Sequence, residues 1–491
     1  MDLRVSVVPL LAILLLAKCE SPITKNVTVD SGTVKENNAT SKSLKLCIMC
    51  FCTDSFIDCS NRNLETHFDK DQWLNIKAKV VSFEHNHLVH VRPFPRTVVE
   101  KLILRKNRII SIDYHAFKEL VNLTELDLSH NQLTSRLLQP HVFEGHFSPE
   151  AYEPLSNLQI LNLSNNILQW LHQSIFEHIA GLKVLNLSGN PFRVFDYRTS
   201  IAISSLSYLE DLDISYCELK ELSHLQFHNA KYLKRLNLTG NQLTVLPRPL
   251  EEAGALEYLS LDANPIRVID RTNPFPNLTK LKELNLREMP NLTLIGNGGL
   301  SALIGLESLH VQNCKKLKHI EEYAIGREAS ATVEGTMWPP LKKLILSSNA
   351  LQYLPMLLVG RWDKLEELRL THNPWSCDCG NQYLVASVLP QYGERLMGKE
   401  VDELTCSAPP EHEGKKLTSL AHRHLRCPDL YNARPERDAA ILMGVLIAVL
   451  VSIPISMAFF VLWRRGFFFC GSQGPATFSR AFYKRASNDD D

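Results

Sequence analysis

Apolar positions recur along the middle of this chain with a fixed spacing. Leu123, Leu126, Leu128, Asn131 and Leu133 form the pattern LxxLxLxxNxL. It returns around Asn166, Asn190, Asn241, Asn264, Asn349 and Asn373, and weaker copies centre on Asn86, Asn107, Cys217, Met289 and Cys314. That makes twelve units, mostly 21 to 27 residues apart, with two steps of 35 that carry extra loop after Leu133 and after Leu317. Within each unit the two residues of LxL are two apart, so on an extended strand they share one face and the residue between them faces the other way.

One such unit has no partner for its apolar face, so the units must stack. Stacking predicts an α/β repeat solenoid, an arc of about twelve coils with a parallel β-sheet on its concave side. At about 4.8 Å per coil the sheet is roughly 55 Å long. The asparagine of each unit both donates and accepts, so its amide is placed to bond backbone groups of its own and neighbouring coils as a ladder. Cys217 and Cys314 take that ladder position. They lie four coils apart, roughly 19 Å, whereas a disulfide needs Cα atoms within about 7 Å. Both are therefore expected as buried free thiols.

Two further apolar runs lie outside the repeats. Val5 to Ala17 has 13 residues without a charge, too short to span a bilayer and suited to a signal peptide. Ala439 to Trp463 has 25 such residues, or roughly 37 Å of helix, enough to span. Arg464 and Arg465 follow, and basic residues outnumber acidic ones five to three in the tail. The positive-inside tendency puts that tail in the cytosol. The expected layout is a signal peptide at 1–19, a flexible leader at 20–46, an N-terminal cysteine cap at 47–75 and repeats at 76–375. A C-terminal cysteine cap at 376–428, a stalk at 429–438, the span at 439–463 and a cytosolic tail at 464–491 complete it. This is a single-pass type I plasma-membrane topology. With 53 basic against 53 acidic side chains, the chain has no surplus charge to bind nucleic acid.

Of twelve cysteines, four cluster as Cys47, Cys50, Cys52 and Cys59, and four as Cys377, Cys379, Cys406 and Cys427. In an oxidising compartment even clusters read as disulfides rather than zinc ligands. With these caps the chain resembles the extracellular leucine-rich repeat membrane proteins, such as Toll-like receptors, Slit and the tartan and capricious adhesion proteins. The likeness covers residues 47 to about 428, and the run Asn373-Pro374-Trp375-Ser376-Cys377-Asp378-Cys379 is similar to that family's C-terminal cap. The resemblance implies pairing of first with third and second with fourth cysteine: Cys47 with Cys52, Cys50 with Cys59, Cys377 with Cys406 and Cys379 with Cys427. The N-terminal cap departs from the family in having two residues, not three, between its first two cysteines. The 28 residues after Trp463 are too few for a folded signalling domain of the Toll kind.

No nucleophile elbow, P-loop or zinc-helix motif occurs, so neither an enzyme nor a cofactor is expected. His85, His87 and His90 bracket the first ladder asparagine and read as solvated turn residues. Eight N-x-[ST] sequons fall at Asn26, Asn38, Asn122, Asn162, Asn186, Asn237, Asn277 and Asn291. Those at Asn162, Asn186 and Asn237 sit between the leucines of LxL, hence on the concave face. Either they carry glycans that shield its N-terminal half, or LNLS simply belongs to the repeat. If they are glycosylated, binding shifts to the C-terminal half, whose outward residues include Tyr258, Asp262, Glu283, Arg287, His310, Lys343 and Arg369. A mixed-charge, partly aromatic strip suits a protein ligand. The expected function is a cell-surface recognition protein, an adhesion molecule or co-receptor. The alternatives are an accessory factor for an innate-immune receptor and an auxiliary subunit of an ion channel. Two features concern the membrane: Cys470, in a juxtamembrane setting suited to S-acylation, and the small residues Ala440, Gly444, Ala448, Ser452 and Ser456, spaced for close helix association with a second copy or a lateral receptor partner.

Overall fold

The structure is a computed structural model that describes residues 44–73, 76–148, 151–224, 226–328, 336–427 and 435–465. The expected signal peptide, Asn26, Asn38, Cys470 and the tail beyond Arg465 lie outside the described residues. Twelve three-residue strands, one per unit, run parallel and in register from Val80–Ser82 to Glu367–Arg369. Two strands of the N-terminal cap, Phe51–Cys52 and Phe56–Asp58, extend the sheet to fourteen. The central strand residues align across coils, Leu126 with Leu161, Leu161 with Leu185 and so on to Leu344 with Leu368. These leucines are fully buried, because the two-residue period of a strand turns them all to one side.

The ladder forms where asparagine is present. Asn131 donates through Nδ2 to Leu104 O and Leu128 O (3.1 and 3.0 Å) and accepts from Ile109 N (3.0 Å). Asn107, Asn166, Asn190, Asn264 and Asn373 repeat the arrangement. Cys217 and Cys314 occupy the same place as buried free thiols. Their sulfurs reach the carbonyls of Leu187 and Ser215, and of Leu286 and Gln312, at 3.2 to 3.5 Å. Immediately before every ladder residue the backbone is left-handed, from His85 (φ 54°) to His372 (φ 58°). Only two of these twelve positions, Gly189 and Gly240, are glycine, so the leucine pattern alone does not announce them.

Away from the sheet the coils close through short 3₁₀ turns and two-residue strands, such as the set Val268–Ile269, Leu294–Ile295 and His319–Ile320. A coil of about 24 residues leaves little chain for a helix there. The 27-residue step from Asn190 to Cys217 has room for one, Tyr197–Ser204, capped by Asp196, whose carboxylate accepts from Thr199 N at 2.8 Å. Both 35-residue steps hold antiparallel hairpins, His146–Ser148 with Ala151–Glu153 and Arg327–Glu328 with Thr336–Met337, where the sequence indicated only extra loop. Within the first coils the core is a row of rings: His67 on Phe94 (4.6 Å), Phe94 on Phe117 (6.2 Å) and Phe117 on Phe143 (6.3 Å).

Disulfides Cys47–Cys52 and Cys50–Cys59 hold the N-terminal cap, and Cys377–Cys406 and Cys379–Cys427 the C-terminal one. Trp375 covers the last coil, fully buried, with Nε1 donating to Leu370 O at 3.0 Å. A helix spans Pro435–Arg464, and its stretch Ala439–Arg464 is long and apolar enough to cross a membrane. It begins inside the segment expected as a stalk, since proline is well placed in a first helical turn.

Candidate functional site

Three residues of each coil face outward on the sheet side: the first and last of the strand and the residue two further on. In the C-terminal half these are Tyr258, Ser260 and Asp262; then Glu283, Asn285 and Arg287; then Ser308 and His310; then Lys343; and Glu367 and Arg369. Register sets Tyr258 beside Glu283 and Asn285 beside His310. All seven residues expected from the sequence therefore share one surface. Tyr258, Asp262, Glu283, Arg287 and His310 are partly buried, while Lys343 and Arg369 are exposed.

The strip is paired at both ends and less so in its centre. Arg235 lies 4.2 Å over the Tyr258 ring and 3.4 Å from Asp211. Lys343 and Arg369 both reach Glu367, at 3.6 and 2.8 Å, and Arg369 also approaches Glu400. Between them Asp262 accepts from the backbone N–H of Arg287 at 2.6 Å. Burial pushes its carboxyl above the usual range, against the pull of that bond and the Arg287 charge. Burial, helped by Arg287, also lowers the His310 imidazole, whose Nε2 is 2.8 Å from Ser308 Oγ. Glu283 accepts from Asn285 Nδ2 at 3.0 Å. Neither the Arg287 nor the Glu283 side chain makes an ion pair within 4.0 Å among the described residues. The leucine pattern pointed to the outward positions but missed Arg235, on the strand beside that of Tyr258, and Asn285, on the strand of Glu283.

The edge where the strands begin is self-compensated. Lys79 pairs with Glu100, Lys234 with Glu210, Lys282 with Glu257 and Lys342 with Glu307, each at 2.6 to 2.8 Å between neighbouring coils. Exposed pairs of this kind contribute about 0 to 1 kcal/mol each. Their main effect is to leave this edge without net charge for a partner.

Asn162, Asn186 and Asn237 are half-buried on the concave face. Each accepts through Oδ1 from the backbone N–H two residues on, at Ser164, Ser188 and Thr239 (2.9 to 3.1 Å). Asp58, Asp127 and Asp213 make the same turn with Ser60, Ser129 and Ser215. The sequon residues thus have a local folding role whether or not a glycan is attached. Asn122 and Asn277 are exposed, and Asn291 accepts from Lys316 Nζ at 2.8 Å. His85 approaches Lys106 and Glu84, whereas His90 approaches Ser111 and Asp113, so the two point to different partners. No metal-holding group of His, Cys, Asp or Glu is present among the described residues. On the apolar helix, Ser452 and Ser456 bond carbonyls of their own helix, Val449 and Ser452, which leaves Ala440, Gly444 and Ala448 as its bare close-contact positions.

The leucine rich repeat family model matches residues 97–146, 156–210 and 207–266. The mouse CD180 antigen is 27% identical over 365 residues, covering 66% of this chain and 52% of its own. The transforming growth factor beta activator LRRC32 of Pongo abelii is 28% identical over 382 residues, covering 65% and 55%. The chain thus spans about half the length of these relatives. A solved chain of the Drosophila Toll–Spatzle complex superposes over 76% of this chain and 58% of its own, with 19% identity and a TM-score of 0.46. Matched repeats over much of 97–266, a twelve-coil parallel sheet and disulfide caps at both ends show that this chain is built of leucine-rich repeats, and it also carries a helix long and apolar enough to cross a membrane.

Proposed function

We propose that this chain is a cell-surface recognition molecule, an adhesion protein or co-receptor, that binds a protein ligand through the C-terminal half of its concave face. The observation that carries this reading is the contrast between the two surfaces of the sheet side. The strand-entry edge is neutralised by its own Lys–Glu pairs, while the strip from Tyr258 to His310 keeps an acid, Glu283, and an arginine, Arg287, without ion-pair partners among the described residues. The apolar helix and the Arg464-Arg465 pair after it support a single plasma-membrane span with the repeats outside. A second reading follows from the relative named as a transforming growth factor beta activator, namely that this chain too engages a growth-factor-type protein.

The test is the full chain displayed on cells and screened against an array of cell-surface and secreted proteins. Replacing Tyr258, Glu283 and Arg287 together by alanine should abolish the captured signal at unchanged surface level, because outward residues add little to the core. Binding that survives this change but is lost when the 326–338 hairpin is altered places recognition elsewhere. An auxiliary role beside a channel or an immune receptor predicts instead co-purification that depends on Gly444 and Ala448. Substituting isoleucine at both should then weaken association, while Val445→Leu should not. For Cys470, acyl-exchange labelling that persists in Cys470→Ser would remove the S-acylation proposal.

A further inference from the structure

Four coils place a buried phenylalanine ten or eleven residues after the ladder position: Phe117, Phe176, Phe227 and Phe275. From the coil of Met289 onward the same place falls to Leu300, then Ile325, then Val359. Protein interiors fill to a nearly constant density, so a lost ring leaves a void unless another group moves in. A cavity of about 220 Å³ lies at this point, walled by the core residues Ile325, Leu341, Leu358 and Val359 and by Trp338. Trp338 is held in place as a wall. Its ring lies against Gly326 and Gly360, where an added Cβ would fall 2.9 and 2.3 Å from it, and it stacks on Tyr323 at 6.5 Å. The hairpin strand Thr336–Met337 leads directly into it.

The mouth of the cavity differs from its walls. Pro340, Gly360, Arg361 and Lys364 are the exposed lining residues, so the opening lies between them. Arg361 grips Asp363 through Nε and Nη2, at 2.8 and 2.7 Å. Lys364 has no ion pair within 4.0 Å among the described residues, and no lining residue is acidic. Arg361 and Lys364 set against Asp363 leave one positive charge, carried by an ammonium that is open to solvent.

A guest has to match both parts. An apolar cavity of about 150 Å³ takes benzene with its six heavy atoms, so one of 220 Å³ takes roughly nine. A saturated chain fills it without burying a polar atom for which the walls have no partner. The ammonium at the mouth calls for a single anionic group at one end of that chain. A carboxylate supplies it, whereas a sulfated sugar brings more charge than the mouth neutralises and no chain for the cavity.

We infer that this cavity binds a medium-chain carboxylate, a fatty acid of about eight to ten carbons, with its chain against Ile325 and Trp338 and its carboxylate on Lys364. None of the lining residues belongs to the outward strip of the sheet, so the site is separate from the proposed recognition surface.

The test follows ω-fluorooctanoate by fluorine NMR with the full chain in phosphatidylcholine nanodiscs, and empty nanodiscs mark uptake by lipid. A resonance that requires the protein and saturates at one equivalent is expected. Ile325→Phe returns a ring to the row and fills the cavity, so affinity should fall at least tenfold while the thermal midpoint holds or rises. Lys364→Gln, an exposed change, should weaken the carboxylate about fivefold and leave the weaker binding of ω-fluorooctanol unchanged. Lys342→Gln, at a lysine already paired with Glu307, should alter neither. Absence of a protein-dependent resonance overturns the site, as does binding that survives Ile325→Phe at an unchanged midpoint. Should Ile325→Phe lose stability instead, Lys364→Gln and the alcohol decide. An alcohol held as tightly as the carboxylate, or a carboxylate indifferent to Lys364→Gln, overturns the proposal.

Discussion

Replacing Asn241 by alanine removes four side-chain hydrogen bonds at once. Nδ2 donates to Ile214 O and Leu238 O at 2.9 Å each, and Oδ1 accepts from Cys217 N and Leu219 N at 3.0 Å each. Leu238 O keeps a second donor, Asn264 Nδ2 at 2.9 Å. The other three groups are left buried without a partner. At about 1 to 2 kcal/mol for each orphaned polar group, the expected loss is about 3 to 6 kcal/mol. Cys217→Ala is the control one coil earlier. Its thiol meets Leu187 O and Ser215 O at 3.4 Å, but these carbonyls also accept from Asn190 Nδ2 and Gly189 N at 2.9 Å, so nothing is orphaned. That change should cost only about 1 kcal/mol. Amide hydrogen exchange reads both. In Asn241→Ala, protection at Cys217 and Leu219 should fall by about two to four decades at 1.4 kcal/mol per decade. Amides near Asn131 should be unchanged, because each coil touches only its neighbours. Equal losses in the two variants would refute the ladder as a source of stability.

Three other outcomes are expected. His67 is buried against Phe94, with Nε2 accepting from Arg92 N at 2.8 Å, and burial lowers its pKa from 6.5 to about 4. Its neutral form thus contributes stability that is present above pH 6.5 and lost as pH falls toward 4, about 2.5 kcal/mol by pH 4.5. Urea unfolding at the two pH values should show this, and His67→Phe should remove it. Burial pushes the thiols of Cys217 and Cys314 up to about 12, so iodoacetamide at pH 8 should label neither in the native chain and both after denaturation, as read by mass spectrometry. Gly240 has φ +68° and an added Cβ would fall 2.3 Å from the Tyr216 ring, so Gly240→Ala should lower stability by about 1 to 2 kcal/mol in thermal unfolding. Ala263→Gly, at the same position one coil on with φ +56°, should raise it by up to about 1 kcal/mol.

Leucines two apart, an asparagine three residues after them and a return about every 24 residues leave few folds open, because each unit exposes an apolar face that only another unit covers. The number of coils, the parallel sheet, the outward position of Tyr258 or Arg287 and the ladder role of Cys217 all follow from that spacing. The even cysteine clusters at both ends and the uncharged run from Ala439 follow equally from local composition, while which cysteine joins which was implied only by the family resemblance. Much of the surface was not legible there. The hairpins in the two long steps depend on antiparallel pairing within segments that carry no leucine pattern. Left-handed backbone at Tyr216 or Glu288 is imposed by the turn and overrides the residue's own preference. Above all, a repeat assigns each side chain a place but not a partner. Arg235 reaches Asp211 across 24 residues of chain and leans over Tyr258, whereas Arg287, four residues beyond Glu283 of the same row, reaches no acid within 4.0 Å among the described residues. Neighbouring coils bring such groups about 4.8 Å apart in space while they remain distant in sequence. Rotamer and burial then separate the charges that are neutralised within the sheet from the one left for a partner.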